Sequence, residues 1–189
     1  MIQRCAWVPV GNELYEKYHD IEWGVPVFDD QVLFEFLILE GAQAGLSWLT
    51  ILKRRGGYKN AFANFDAQKV ANFTESDIKR LKQNEAIIRN QLKIEAAVTN
   101  AQHFLEAQKE FSSFSIYQWS FVGGAPKINQ WSKGSEVPAV TPEAEAFSKD
   151  LKRRGFKFVG PTIVYAHMQA TGMVNDHTAD CFRYKELSK

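Results

Sequence analysis

Apolar positions along the chain recur mostly with the 3.6-residue period of amphipathic helices. Residues 31–40 are apolar on nearly every face, which predicts a buried helix, with Asp29 and Asp30 placed to cap its start. Gly41 and Gly45 interrupt the pattern, which resumes over 46–55 and stops at Gly56 and Gly57. Asp66 is a candidate cap for a further short helix. Thr74 and Asp77 resemble a capping box with Asp in place of Glu, heading a helix that ends near Gln83. A tight connection over 84–88 leads into a long helix over 89–109, with Leu92, Ile94, Ala97, Val98, Ala101, Phe104 and Leu105 as its inner face. Thr141, Pro142 and Glu143 open a helix that Gly155 closes; Pro161 opens the next and Gly172 ends it. Residues 117–122 form a short apolar segment closed by Gly123 and Gly124, and 127–140 read as a loop pinned by Trp131. The stretch 156–159 has strand character but no partner strand. These signals predict an all-α architecture of about eight to ten short helices in a single domain over residues 1–189.

A hydrophobic content of 45% over 189 residues supports one substantial core. No run of about 18 apolar residues is present, so no membrane span is expected. The first ten residues carry Arg4 without a continuous apolar region behind it, which argues against a signal peptide and for a reducing cytoplasm. The net charge of +1 does not mark a generally basic nucleic-acid binder, so any basic surface is local. Lys53-Arg54-Arg55, Lys79-Arg80-Leu81-Lys82 and Lys152-Arg153-Arg154 are the candidates, each near a helix end where cations also suit the helix dipole.

Cys5, His19, His177 and Cys181 are both cysteines and two of the four histidines, at opposite ends of the chain. The His177–Cys181 spacing puts imidazole and sulfur on one face of a helical turn. Two thiolates and two imidazoles make a closed four-coordinate zinc set that would join the termini. Two other readings stay open on the residues alone: small buried apolar thiols, and a Cys5–Cys181 disulfide, which needs an oxidising compartment.

Glu40 ends the apolar helix, where its carboxylate is desolvated unless it finds a partner or reaches solvent. Trp7, Tyr15, Tyr18, Trp23 and Trp48 crowd the first quarter of the chain, where aromatics would ordinarily only fill a core. Tyr18, Trp23 and Trp48 can form an aromatic slot with Glu40 at its edge, suited to a flat, cationic, nitrogen-rich ring. Residues 74–98 form two helices and a turn that can hold a phosphate, with Arg89, Asn90 and Lys93 at the start of the second helix. His103 and His167 read as structural. No catalytic triad order, phosphate-cradling glycine loop, H-E-x-x-H pattern or deaminase motif occurs.

The chain resembles the 3-methyladenine DNA glycosylase I family over nearly its whole length. The likeness is carried by Arg4-Cys5-Ala6-Trp7, Tyr18-His19-Asp20, Glu22-Trp23-Gly24-Val25-Pro26 and the run from Leu39 through Glu40, Gln43 and Gly45 to Trp48. It continues in Ile87-Ile88-Arg89-Asn90, in Lys93-Ile94, in the segment 152–162, and from Met168 through Val174 to His177. The resemblance implies a helix-hairpin-helix DNA glycosylase fold, with the hairpin at about 74–98 and one structural zinc on Cys5, His19, His177 and Cys181 tying segments 1–25 and 172–189 together. It implies a base pocket of Glu40, Tyr18 and Trp48 with Trp7, Tyr15 and Trp23 around them, Gly45 and Leu46 in the loop that enters the gap left by an extruded nucleotide, and Arg89, Asn90 and Lys93 on DNA.

The implied activity is excision of flipped 3-methyladenine from alkylated double-stranded DNA, leaving free base and an abasic site without strand cleavage, by a monomer in the bacterial cytosol. Ala86 and Gln91 depart from the family's hairpin, which has Gly and Arg there, and this puts the phosphate contact in question. A non-catalytic reader of damaged bases and a zinc hydrolase with metal-bound water are the rival readings.

Overall fold

The computed structural model describes residues 2–188; Met1 and Lys189, the two ends of the predicted domain, lie outside them. Eleven α-helices account for most of the described residues, with one two-stranded parallel sheet. None of these helices is long and apolar enough to cross a membrane.

At the centre lies α2 (Asp30–Gln43), capped by Asp29, whose side chain accepts from the Val32 amide. Its Leu33, Phe34, Phe36, Leu37, Ile38 and Leu39 are all buried, as a helix without a polar face must be. The helix runs one turn further than its apolar run, through Gly41 and Ala42 to Gln43, so Glu40 sits inside the last turn. Against it pack α7 (Gln91–Phe111), α8 (Phe114–Trp119) and α10 (Pro161–Ala170), while α9 (Pro142–Arg153) packs on α10 and α1 (Glu13–Ile21) on the short helix over 48–52. The Asp30 carboxylate accepts from the amides of Phe114 and Ser115 and so holds the start of α8 against α2.

Several predicted boundaries move. The 46–55 segment is two helices, α3 (Trp48–Leu52) and α4 (Arg55–Ala61), and Gly56 and Gly57 lie inside the second instead of ending the first. Gly57 is there for close approach: a Cβ on it would stand 2.3 Å from the Ala86 carbonyl oxygen. The short α5 (Ala67–Ala71) starts at the Asp66 cap. Thr74 and Asp77 form both halves of a capping box on α6 (Glu75–Lys82). The long helix begins at Gln91, two residues later than its pattern suggests, because Asn90 is its cap. Leu92 is exposed and Leu105 half-buried, so the inner face is narrower than predicted.

The 127–140 loop contains β1 (Lys127–Ile128), which pairs in parallel with β2 (Val174–Asn175). Trp131 does pin it, donating from Nε1 to Asp176 at 2.7 Å. The stretch 156–159 forms no strand. The C-terminal α11 (Phe182–Leu187) follows Cys181.

Candidate active site

A cavity of about 400 Å³ opens between α1, α2, α3, α10 and the loop before α9. Tyr15 and Tyr18 come from α1, Glu40 and Gln43 from one face of α2, and Trp48 from the first position of α3. Trp7 and Trp23 close another side, in edge-to-face contact with ring centroids 4.9 Å apart. The Tyr18 and Trp48 rings lie 5.4 Å apart and tilted by 49°, in contact with each other, so they form adjoining aromatic walls on one side of the cavity. All six sequence-predicted pocket residues therefore line one cavity.

Glu40 is 4% exposed, and burial alone raises its pKa to about 8. Among the described residues no charge or hydrogen bond offsets that penalty, so the carboxyl is held at an energetic cost that a donor or cation in the cavity would relieve. Tyr18 is raised well above its ordinary value, first by burial and then by Glu40. The Trp48 Nε1–H is buried without an acceptor among the described residues. Asp176, the other carboxylate lining the cavity, is in the opposite condition. It accepts from Asn129, Trp131, Tyr165 and Gln169, at 2.5–2.8 Å.

Asp176, Gln43, Ala166, Gln169 and Val137 also line the cavity and were not singled out from the sequence. Gln43 had a legible signal, since it lies three residues after Glu40 and so on the same helix face. Asp176 precedes His177, but its four partners come from a loop and a helix that no local pattern connects to it.

Beyond Gln43 the chain turns sharply. Ala44 (φ −43°, ψ 115°) and Gly45 (φ +77°), closed by the Leu46 amide on the Gln43 carbonyl, form a type II turn, which requires glycine at its third position. Leu46 projects from this turn, 40% exposed, beside a smaller cavity that shares Glu40, Gln43 and Ala166 with the main one. Ser47 then caps α3. Arg89 and Asn90 are exposed ahead of α7. Ala86 has no positive φ, so the residue that departs from the family's glycine sits in an ordinary conformation. Gln91 bridges Lys82 and Glu95. Lys93 is placed otherwise than predicted: its ammonium donates to the carbonyls of Ala42 (2.8 Å) and Ala44 (2.6 Å) at the end of α2. It is directed at protein backbone and not outward beside Arg89.

Cys5, His19, His177 and Cys181 meet with their ligand atoms all within 4.8 Å of one another, all four buried. His177 and Cys181 are joined by a turn closed by the Cys181 amide on the Thr178 carbonyl, not by the helical turn that their spacing suggested. The reason is that Thr178 pairs laterally with Trp131. Each imidazole has one nitrogen facing the sulfurs and the other engaged outside: His19 Nδ1 with Asp20 (2.8 Å), and His177 Nε2 with the Trp23 carbonyl (3.0 Å). Asp20 is itself gripped by Arg4. Outer acceptors of this kind orient metal-ligating histidines. Hydrogen bonding to Cys181 and burial push the Cys5 thiol up. The same bond draws Cys181 down against burial, with help from His177 and His19, toward the thiolate that a metal binds. The donor set and its surroundings fit a metal ion.

The profile of the methyladenine glycosylase family matches residues 7–184. DNA-3-methyladenine glycosylase 1 of Escherichia coli (strain K12) is 48% identical over 183 residues, 97% of each chain. A crystal structure of 3-methyladenine DNA glycosylase I superposes with a TM-score of 0.93 at 49% identity, covering 95% of this chain and 98% of the other. A variant of 3-methyladenine DNA glycosylase I in complex with 3-methyladenine superposes at 0.92 with 41% identity, covering 95% and 96%.

Proposed function

The chain belongs to the methyladenine glycosylase family, and we propose that it takes 3-methyladenine, extruded from alkylated double-stranded DNA, into the cavity walled by Tyr18 and Trp48 and reads it with Glu40. It is a DNA glycosylase, a hydrolase of the N-glycosidic bond in base-excision repair. The observation that carries the residue assignment is the Glu40 carboxyl, buried in an aromatic-lined cavity without a hydrogen-bond partner among the described residues.

A 3-methylated adenine nucleotide carries a positive charge. Aromatic faces attract it, and a carboxylate accepts from its amino group while balancing its charge. Because Asp176 is saturated by four donors, Glu40 is the carboxylate free to do this. Extrusion costs a few kcal/mol, and Leu46 fills the vacated stack. The sugar–base bond then breaks with its electron pair passing to the base, which leaves neutral and needs no protonation. The oxygen of a water molecule bonds to the anomeric carbon and loses its proton. Glu40 stabilises charge during bond cleavage; the carboxylate pair of sugar hydrolases is not required. Among the described residues no lysine lines the cavity, in keeping with formation of free base and an abasic site without strand cleavage.

In this reading the hairpin between α6 and α7 is a helix-hairpin-helix element, with Arg89, Asn90 and the start of α7 on a phosphate. Gly45 and Leu46 face the duplex. Cys5, His19, His177 and Cys181 would hold one zinc ion, whose binding contributes folding free energy and ties the ends of a single domain together. The protein acts as a cytoplasmic monomer.

Release of free base from alkylated duplex DNA tests the assignment. Wild type is expected to free 3-methyladenine. Glu40→Gln should slow release by about a hundredfold or more, the scale of a lost transition-state contact, and Trp48→Ala by about tenfold or more from lost stacking, both variants remaining folded. Binding of damaged DNA by wild type without release would favour a non-catalytic reader.

A further inference from the structure

The end of α2 carries Glu40 and leads directly into the turn that bears Leu46. That end is poorly secured by its own sequence. A helix leaves its last four carbonyls without intrahelical partners, and α2 has no basic residue in its last turn to meet them. Lys93, from the first turn of α7, supplies the missing donor. A cation at a helix start is unfavourable for its own helix dipole, yet here its ammonium reaches the carbonyl end of α2. Its path lies among Ile38, Ala42, Tyr58 and Ile88, in the crevices between the two helices.

The two carbonyls are not equivalent. Ala42 belongs to the helix, but Ala44 supplies the central peptide of the type II turn. Type I and type II turns differ in the orientation of that one peptide. A donor on the Ala44 oxygen at 2.6 Å therefore selects one turn over the other. A flip of that peptide leaves the four Cα positions nearly in place, so the bond acts by anchoring and stiffening the turn from which Leu46 projects.

We infer that Lys93 is a positioning residue for Leu46: it locks the 43–46 turn in the form that presents the leucine to the duplex, and it couples the start of the hairpin helix to that loop. The inference rests on the proposed role of Leu46 in filling the gap left by the extruded base. It removes Lys93 from the set of phosphate contacts, leaving Arg89 and Asn90.

A double-mutant cycle decides the matter, with Lys93→Met, Leu46→Ala and both together. The readout is single-turnover release of 3-methyladenine at saturating enzyme, on duplex and on single-stranded alkylated DNA. Lys93→Met should slow release from duplex by about tenfold and from single strands by little, because only the duplex presents a gap to fill. The double variant should be no slower than Leu46→Ala alone, since residues acting as a unit are non-additive. Lys93→Arg, which keeps two donors, should recover part of the rate. The salt slope of duplex binding should be unchanged. Additive losses, equal losses on both substrates, or a salt slope smaller by about 0.9, the value of one phosphate contact, would overturn the inference. Should Lys93→Met melt below the assay temperature, Lys93→Leu enters the same cycle. Failure of wild type to release base at all would instead sink the proposed function before any variant is compared.

Discussion

The molecule buries two polar centres side by side and treats them in opposite ways. In the Cys/His cluster, both imidazoles have their outer nitrogens engaged, and the aspartate that orients one of them is itself held by Arg4. Glu40 lines the same cavity as Cys5 and Trp23, is also buried, and has no hydrogen-bond partner among the described residues. Buried polar groups that hold a structure together are satisfied, and those left unsatisfied are expensive. The contrast supports the proposed division between a structural centre and a recognition centre without reference to the reaction. His167 stands between them: Nε2 meets Gln118 at 2.9 Å, while Nδ1 has no partner among the described residues.

The largest expected effect comes from breaking the satisfied centre. Structural zinc sites contribute of order 10 kcal/mol of apparent binding free energy. Cys181→Ser, or verified metal removal from wild type, should lower the melting temperature by roughly 10 °C or more. The fraction that stays folded should cleave normally. Unchanged melting after metal content has fallen to zero, measured by elemental analysis, would contradict a structural role.

A smaller effect, of opposite sign, is expected at the unsatisfied centre. Glu40 has a folded pKa of about 8 against an ordinary 4.5, so the folded state binds more protons across that window. Its contribution to stability is therefore lost as pH rises from 4.5 to about 8, at up to about 1.4 kcal/mol per pH unit. Glu40→Gln removes the titrating group and should be the more stable protein at alkaline pH, by a few kcal/mol at most. Denaturant melts across that window measure the difference. A variant less stable than wild type above pH 8 would mean that the carboxylate has a stabilising partner.

The half-satisfied group gives the smallest effect. Burial lowers the His167 pKa from 6.5 to about 4, so the folded state keeps the neutral ring. Stability is full above pH 6.5 and falls toward pH 4, again by about 1.4 kcal/mol per unit at most. His167→Gln should flatten that acid limb in the same melts, and an unchanged limb would place the acid sensitivity elsewhere.

Much of this was legible in the sequence wherever the cause was local. The Asp29, Asp66, Thr74 and Thr141 caps each act within three residues of themselves, and each does what its pattern suggests. The buried course of α2 followed from an apolar run with no polar face. Residue types pointed to Cys5, His19, His177 and Cys181 as one candidate set, the resemblance implied it as well, and the structure brings their donor atoms together. What failed had distant causes. Gly56 and Gly57 look like a helix stop, but Gly57 lies in α4 because the Ala86 carbonyl lies against it. Lys93 sits where a phosphate contact belongs, but a carbonyl pair about fifty residues earlier in the chain claims it. The β1–β2 pair is two residues on each side, too short for any periodicity to announce. Asp176 reads as one acidic residue among many until the fold gathers four donors around it.

The unpaired carboxyl at Glu40 is the centre of the account, and its titration can be followed directly. Carboxyl-carbon NMR on protein labelled at glutamate, assigned by comparison with Glu40→Gln, reports its pKa in the empty cavity and with 3-methyladenine bound. One glutamate should titrate near pH 8 when the cavity is empty and move downward when the base donates to it. An ordinary carboxylate value in the empty protein, or a titration indifferent to the base, would contradict the assignment of Glu40 as the group that reads it.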